Sequence, residues 1–239
     1  MFNNEFLHML DISTSLTIFC ILWLVLTIFS MIPSISWGLS DRIQKRGHVI
    51  GLMLLFWALF QSTLSLNRWY MDRSAGWFHH AFPYFFMAIA MILLFATPRG
   101  KEFAKHIHPR YLLIPQWTRL GWVLIAYFLI QAQQLPEMVF ILGVGVELFI
   151  AIPALYLYLN LEKTNPTVIR AFHILSIVVT TSELIIGYGS VPSSVQTWSI
   201  LQPNFAFQHF PFSLVPAVVF PIYLFGNIHG LIFPKVQRG

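Results

Sequence analysis

Residues 199–234 read SILQPNFAFQHFPFSLVPAVVFPIYLFGNIHGLIFP. Gln202, Pro203, Asn204, Gln208 and His209 form a polar, aromatic lead-in to an apolar run long enough to cross a bilayer. The run carries Pro211, Pro216 and Pro221, spaced five apart. A proline inside a helix removes a backbone donor and bends the chain. In lipid, the carbonyls it frees must find partners within the protein. The spacing therefore predicts a kinked last span, packed on at least one side and preceded by a structured outer loop.

The rest of the chain follows the same logic. It is 57% hydrophobic and 10% charged, against about 25% charged in an ordinary soluble domain. The expected fold class is all-α, a polytopic membrane protein in a single domain covering residues 1–239. Apolar runs fall at about residues 12–35, 48–66, 82–98, 118–135, 138–159, 167–188 and 210–233, which makes seven spans. The leader MFNNEFLHMLDIS has no basic region or small-residue cleavage site, so no cleaved signal peptide is expected. The single Cys20 excludes an internal disulfide and any multi-cysteine metal site.

Charge sets the expected orientation. Of the 14 Lys and Arg, 12 fall after spans one, three and five or in the tail: Arg42, Lys45, Arg46, Arg99, Lys101, Lys105, Arg110, Arg119, Lys163, Arg170, Lys235 and Arg238. Only Arg68 and Arg73 fall on the other side. By the positive-inside rule the N-terminus is expected outside and the C-terminus in the cytoplasm. This asymmetry accounts for the net charge of +5 without a nucleic-acid partner.

Seven spans with an outside N-terminus match the plan of rhodopsins. Yet all five lysines (Lys45, Lys101, Lys105, Lys163 and Lys235) lie in loops or the tail, so no Schiff base to retinal is expected. No GxSxG, Walker or zincin pattern occurs, which leans away from an enzyme. Two carboxylates fall inside spans: Glu147 roughly 14 Å and Glu183 roughly 8 Å below the outer ends of theirs. An intramembrane carboxylate is costly and marks a functional candidate. With Gln61, Gln131, Tyr188, Gln202 and Asn204 they would line an outward-facing cavity for a small polar or cationic ligand, in a binding or transport role. The structural alternative is a protonated carboxyl bonded to a neighbouring helix. His173 and His229 lie at similar depth near the inner face. With His48 they make a second candidate, a haem or metal site in a membrane enzyme or redox subunit. A third reading, a structural subunit with a membrane-protein partner, fits the absence of a soluble domain.

The opening stretch also resembles an uncharacterised family of seven-span bacterial membrane proteins common in Bacteroidota. The matching residues are Gln202, Pro203, Asn204, Phe210, Pro211, Phe212, Pro216 and Pro221. Arg119 and the Pro136–Glu137 pair are a weaker match. Leu201 stands where the family carries an acid, and Asn227 where it carries a histidine. The resemblance implies the seven-span fold and its topology, and no activity.

Overall fold

A computed structural model describes residues 12–36, 41–71, 77–142, 144–194 and 196–234. The described chain is helical and contains no strand. Its helices are α1 (Thr14–Ser36), α2 (Asp41–Leu66), α3 (Trp77–Ala96), α4 (Pro98–His106), α5 (Ile114–Trp117), α6 (Arg119–Gln131), α7 (Glu137–Leu142), α8 (Leu148–Asn160), α9 (Pro166–Gly189) and α10 (Phe220–Ile232).

Among the described residues six stretches are long and apolar enough to cross a membrane: Thr14–Ile35, Gly47–Leu66, Tyr111–Gln131, Glu137–Asn160, Pro166–Gly189 and Val215–Ile232. Ala81–Ala96 and α4, joined at an 87° bend, make a further candidate if the pair counts as one span. Large apolar side chains such as Leu22, Met53, Phe56, Leu59, Phe149 and Leu159 face outward, while Gln116, Arg119, Glu147, Glu183 and Asn227 are fully buried. A polar interior under an apolar exterior suits a chain solvated by lipid, where buried polar groups must satisfy one another.

The last span is the axis of the molecule. In its apolar window 72% of residues are buried, against 22–44% in the five other single spans. It packs most extensively on α9. Asn165 starts α9, its side chain accepting from the Thr167 amide at 2.8 Å, with Pro166 in the first turn.

The structure changes four sequence boundaries. The basic stretch after span three is not an open loop, because residues 98–106 form α4. Thr97 caps that helix by accepting from the Gly100 amide at 3.1 Å. The next span begins at Tyr111 rather than near residue 118, since Pro115 sits in the first turn of α5, where a missing N–H costs nothing. Arg119 therefore lies inside the span and not in a cytoplasmic loop. The fifth run is broken, with a 3₁₀ turn at Val144–Glu147 between α7 and α8. Residues 210–213 are turns, and the last span starts with a π-helical turn at Val215–Val219. The leader with Glu5 and Asp11, Arg73, and the tail with Lys235 and Arg238 lie outside the described residues.

The π turn follows from the prolines. The Phe220 amide bonds the Val215 carbonyl, five residues back. The Pro216 carbonyl would then need the amide of residue 221, and the Ala217 carbonyl would need the same amide in α geometry. Pro221 has no N–H to give. Tyr84 Oη of α3 donates to the Pro216 carbonyl instead, and Trp57 Nε1 of α2 donates to the Ala217 carbonyl at 3.3 Å.

Candidate functional site

Arg119 opens α6 just after a tight turn at Thr118, whose carbonyl takes Trp23 Nε1 of α1 at 2.5 Å. The Trp23 ring lies against Gly121, where a Cβ would come within 2.2 Å of it, so only glycine allows this approach. The guanidinium is buried and surrounded. Nε donates to Gln116 Oε1 at 2.8 Å, and Nη2 donates to Ser176 Oγ at 3.1 Å and Thr180 Oγ1 at 2.9 Å. Nη1 donates to Glu147 Oε2, closing a buried ion pair between α6 and the 3₁₀ turn before α8. The flat face of the cation sits 4.1 Å from the centroid of the Tyr223 ring on α10. Four spans thus converge on one cation.

A second carboxyl stands beside this pair. Glu183 Oε1 accepts from Trp122 Nε1, one turn along α6 from Arg119. Glu147 and Glu183 interact with each other. Each retains one buried oxygen without a hydrogen-bond donor: Oε1 of Glu147 and Oε2 of Glu183. The cluster holds one guanidinium and two carboxyls. An uncompensated charge at this depth is costly, so neutrality requires one more positive charge, and the two orphaned oxygens are where it would sit.

Towards the other end of α10, Asn227 extends the polar core. Its Nδ2 faces Ser176 Oγ at 2.7 Å, the Tyr223 carbonyl at 2.8 Å and Gln116 Oε1 at 3.2 Å, and its Oδ1 accepts from His173 Nδ1 at 3.0 Å. His173 Nε2 packs on Gly230, where a Cβ would lie 2.1 Å away. His229 Nε2 donates to the Ala104 carbonyl of α4 at 2.8 Å. His48 is exposed on α2. Nδ1 of His173 and Nε2 of His229 are thus engaged by the protein, and among the described residues no three His, Cys, Asp or Glu side chains are arranged to hold a metal ion.

Beside the cluster stand three tyrosines. Tyr84 Oη donates to the Pro216 carbonyl, and its ring packs edge-on to Tyr188 with centroids 6.2 Å apart. Tyr70, beyond the end of α2, donates its hydroxyl to Gln61 Oε1. Of the residues singled out in the sequence, Glu147 and Glu183 lie in the cluster, and Tyr188 and Gln61 are buried among these tyrosine contacts. Gln131 stands apart, exposed at the end of α6, roughly 18 Å along the helix from Arg119.

The lead-in to the last span is a packed plug. Asn204 Nδ2 donates to the Gly187 carbonyl at 3.0 Å and its Oδ1 accepts from the Phe207 amide at 3.3 Å. Gln202 Nε2 reaches the Leu135 carbonyl at 3.4 Å, and Gln208 Nε2 the Pro192 carbonyl at 3.2 Å. These polar groups are committed to backbone.

Arg119, Trp122, Gln116, Ser176, Thr180, Tyr223 and Asn227 belong to the site although they are not among the candidate site residues expected from the sequence. One signal was available: residues 111–118, YLLIPQWT, contain no charge, so the span had room to begin before Arg119. No match is found among family models, curated proteins or solved structures.

Proposed function

We propose that the chain is a proton-coupled carrier or receptor for a small polar or cationic ligand, with Arg119, Glu147 and Glu183 as its central site. The supporting observation is the convergence of irregular backbone on that cluster. Arg119 follows a tight turn at Thr118, Glu147 sits in a 3₁₀ turn at Val144–Glu147, and Tyr223, which covers the cation, lies on the span that opens with the π turn at Val215–Val219. Interrupted helices at membrane depth are tolerated only within protein or around a cavity, and in transporters they build the substrate and ion sites.

The chemistry follows from charge balance. Arg119 holds Glu147, which leaves Glu183 as the exchanging group. One proton between the two carboxyls neutralises the site. A ligand cation entering beside Glu183 does the same and displaces that proton. Binding of either excludes the other, which is the requirement for exchange.

On this reading the chain has seven spans and sits in a bacterial inner membrane with the N-terminus outside, as the family resemblance also implies. With Arg119 inside a span, the remaining loop cations still favour one side, with only Arg68 and Arg73 on the other. A C-terminal reporter active only outside the cell would contradict that orientation. The activity is tested in proteoliposomes loaded with a pH-sensitive dye and pulsed with sodium, potassium or ethanolammonium. The wild-type protein is expected to move protons in response to at least one cation, and Glu183→Gln to abolish the response. An unchanged response in Glu183→Gln removes the proposal.

A further inference from the structure

We propose that α4 and the loops beside it form a binding surface for the headgroups of acidic phospholipids. The 87° bend after α3 turns α4 away from the span axis, towards the plane of the membrane surface. Its inner side is fixed: Phe103 and Ala104 are buried, and the Ala104 carbonyl is held by His229 of α10. Its outer side carries Arg99, Lys101 and Lys105, all exposed. Just before the bend, Ile92 and Leu93 of α3 are exposed apolar residues. The cations therefore begin where the lipid-facing surface ends, the level occupied by headgroup phosphates.

Neighbouring segments extend the patch. Arg110 follows α4 and lies 3.9 Å from Glu162 in the loop after α8, bringing that loop and the exposed Lys163 to the same face. Glu102, 3.9 Å from Lys105, offsets part of the charge. Among these residues the cations outnumber the carboxylates, and they project from a short helix anchored at its buried side. An anchored amphipathic helix with a basic outer face complements an anionic lipid surface better than a neutral one. The inference is independent of the chemistry proposed for Glu183.

The test uses the purified full chain in a neutral detergent. Thermal unfolding is measured with added dioleoyl phosphatidylglycerol, dioleoyl phosphatidylcholine or inorganic phosphate, each at low and high salt. Phosphatidylglycerol is expected to raise Tm at low salt, less so at high salt, while the other two have little effect. Arg99→Gln/Lys101→Gln/Lys105→Gln is expected to keep the basal Tm, because these side chains are exposed. It should weaken phosphatidylglycerol binding roughly a hundredfold, at about tenfold per 1.4 kcal/mol and about 1 kcal/mol per cation. Equal stabilisation by phosphatidylcholine, equal protection by inorganic phosphate, or an unaltered phosphatidylglycerol response in the triple variant overturns the proposal. If the triple variant does not fold, native mass spectrometry of the wild-type protein decides: preferential retention of phosphatidylglycerol supports the site, and none overturns it.

Discussion

Arg119 shows how one side chain organises a membrane interior. Its planar guanidinium offers donors in a fixed fork and a flat face, and each neighbour answers one of them: a carboxylate, two hydroxyls, an amide oxygen and the face of Tyr223. Removing one partner of a buried pair leaves the other uncompensated, at a cost of about 3–5 kcal/mol. Arg119→Ala is therefore expected to lower the Tm in detergent far more than Arg119→Met combined with Glu147→Leu, which removes both charges and keeps the volume. Equal losses in the two variants would mean that packing, not charge, dominates at this position. A separate effect belongs to the histidines outside the spans. Burial, with Arg68 adding to it, lowers the pKa of His209, and burial with Arg110 lowers that of His108, with Glu162 opposing. Both are more readily protonated unfolded than folded, so their neutral forms favour the folded state at high pH. Stability should be constant above about 6.5, the unfolded value, and fall as pH drops below it. His209→Asn should flatten that fall; an unchanged profile would exclude His209 as a contributor.

At the scale of elements, the last span depends on donors from other helices. Pro221 leaves the Pro216 and Ala217 carbonyls without backbone partners, and Tyr84 and Trp57 supply them. Tyr84→Phe and Trp57→Phe should each cost about 1–3 kcal/mol, the usual cost of an orphaned buried acceptor. Pro221→Ala restores an amide, so Trp57→Phe should cost less in that background; a double-mutant cycle measured by thermal unfolding checks the coupling. The sequence carried much of this element. Three prolines in an apolar run imply freed carbonyls and a packed helix, although they do not say which residues answer them. The hydropathy pattern located most spans to within a few residues, because crossing a bilayer requires a fixed apolar length. The pattern failed at Arg119 because a charged residue beside a proline-containing segment reads as a loop. Only the tertiary ring of Glu147, Ser176 and Thr180 makes its burial tolerable.

At the scale of the whole molecule, the chain surrounds one polar axis with an apolar coat. Glu147 and Glu183 stood out in the sequence because intramembrane carboxylates are rare, and the structure places them together. That the polar lead-in 202–208 is sealed by its own backbone contacts was not readable, since an amide side chain looks the same in a sequence whether it lines a cavity or caps a turn. The central claim is that the two carboxyls and Arg119 act as one neutral unit holding a single exchangeable proton. Infrared difference spectroscopy of the purified protein on exchange into deuterated buffer tests it most directly. The account predicts a carbonyl stretch from a protonated carboxyl that shifts on exchange and vanishes in both Glu147→Gln and Glu183→Gln, because each variant leaves one carboxylate to balance Arg119. No such band in the wild-type protein, or a band unchanged in both variants, would contradict it.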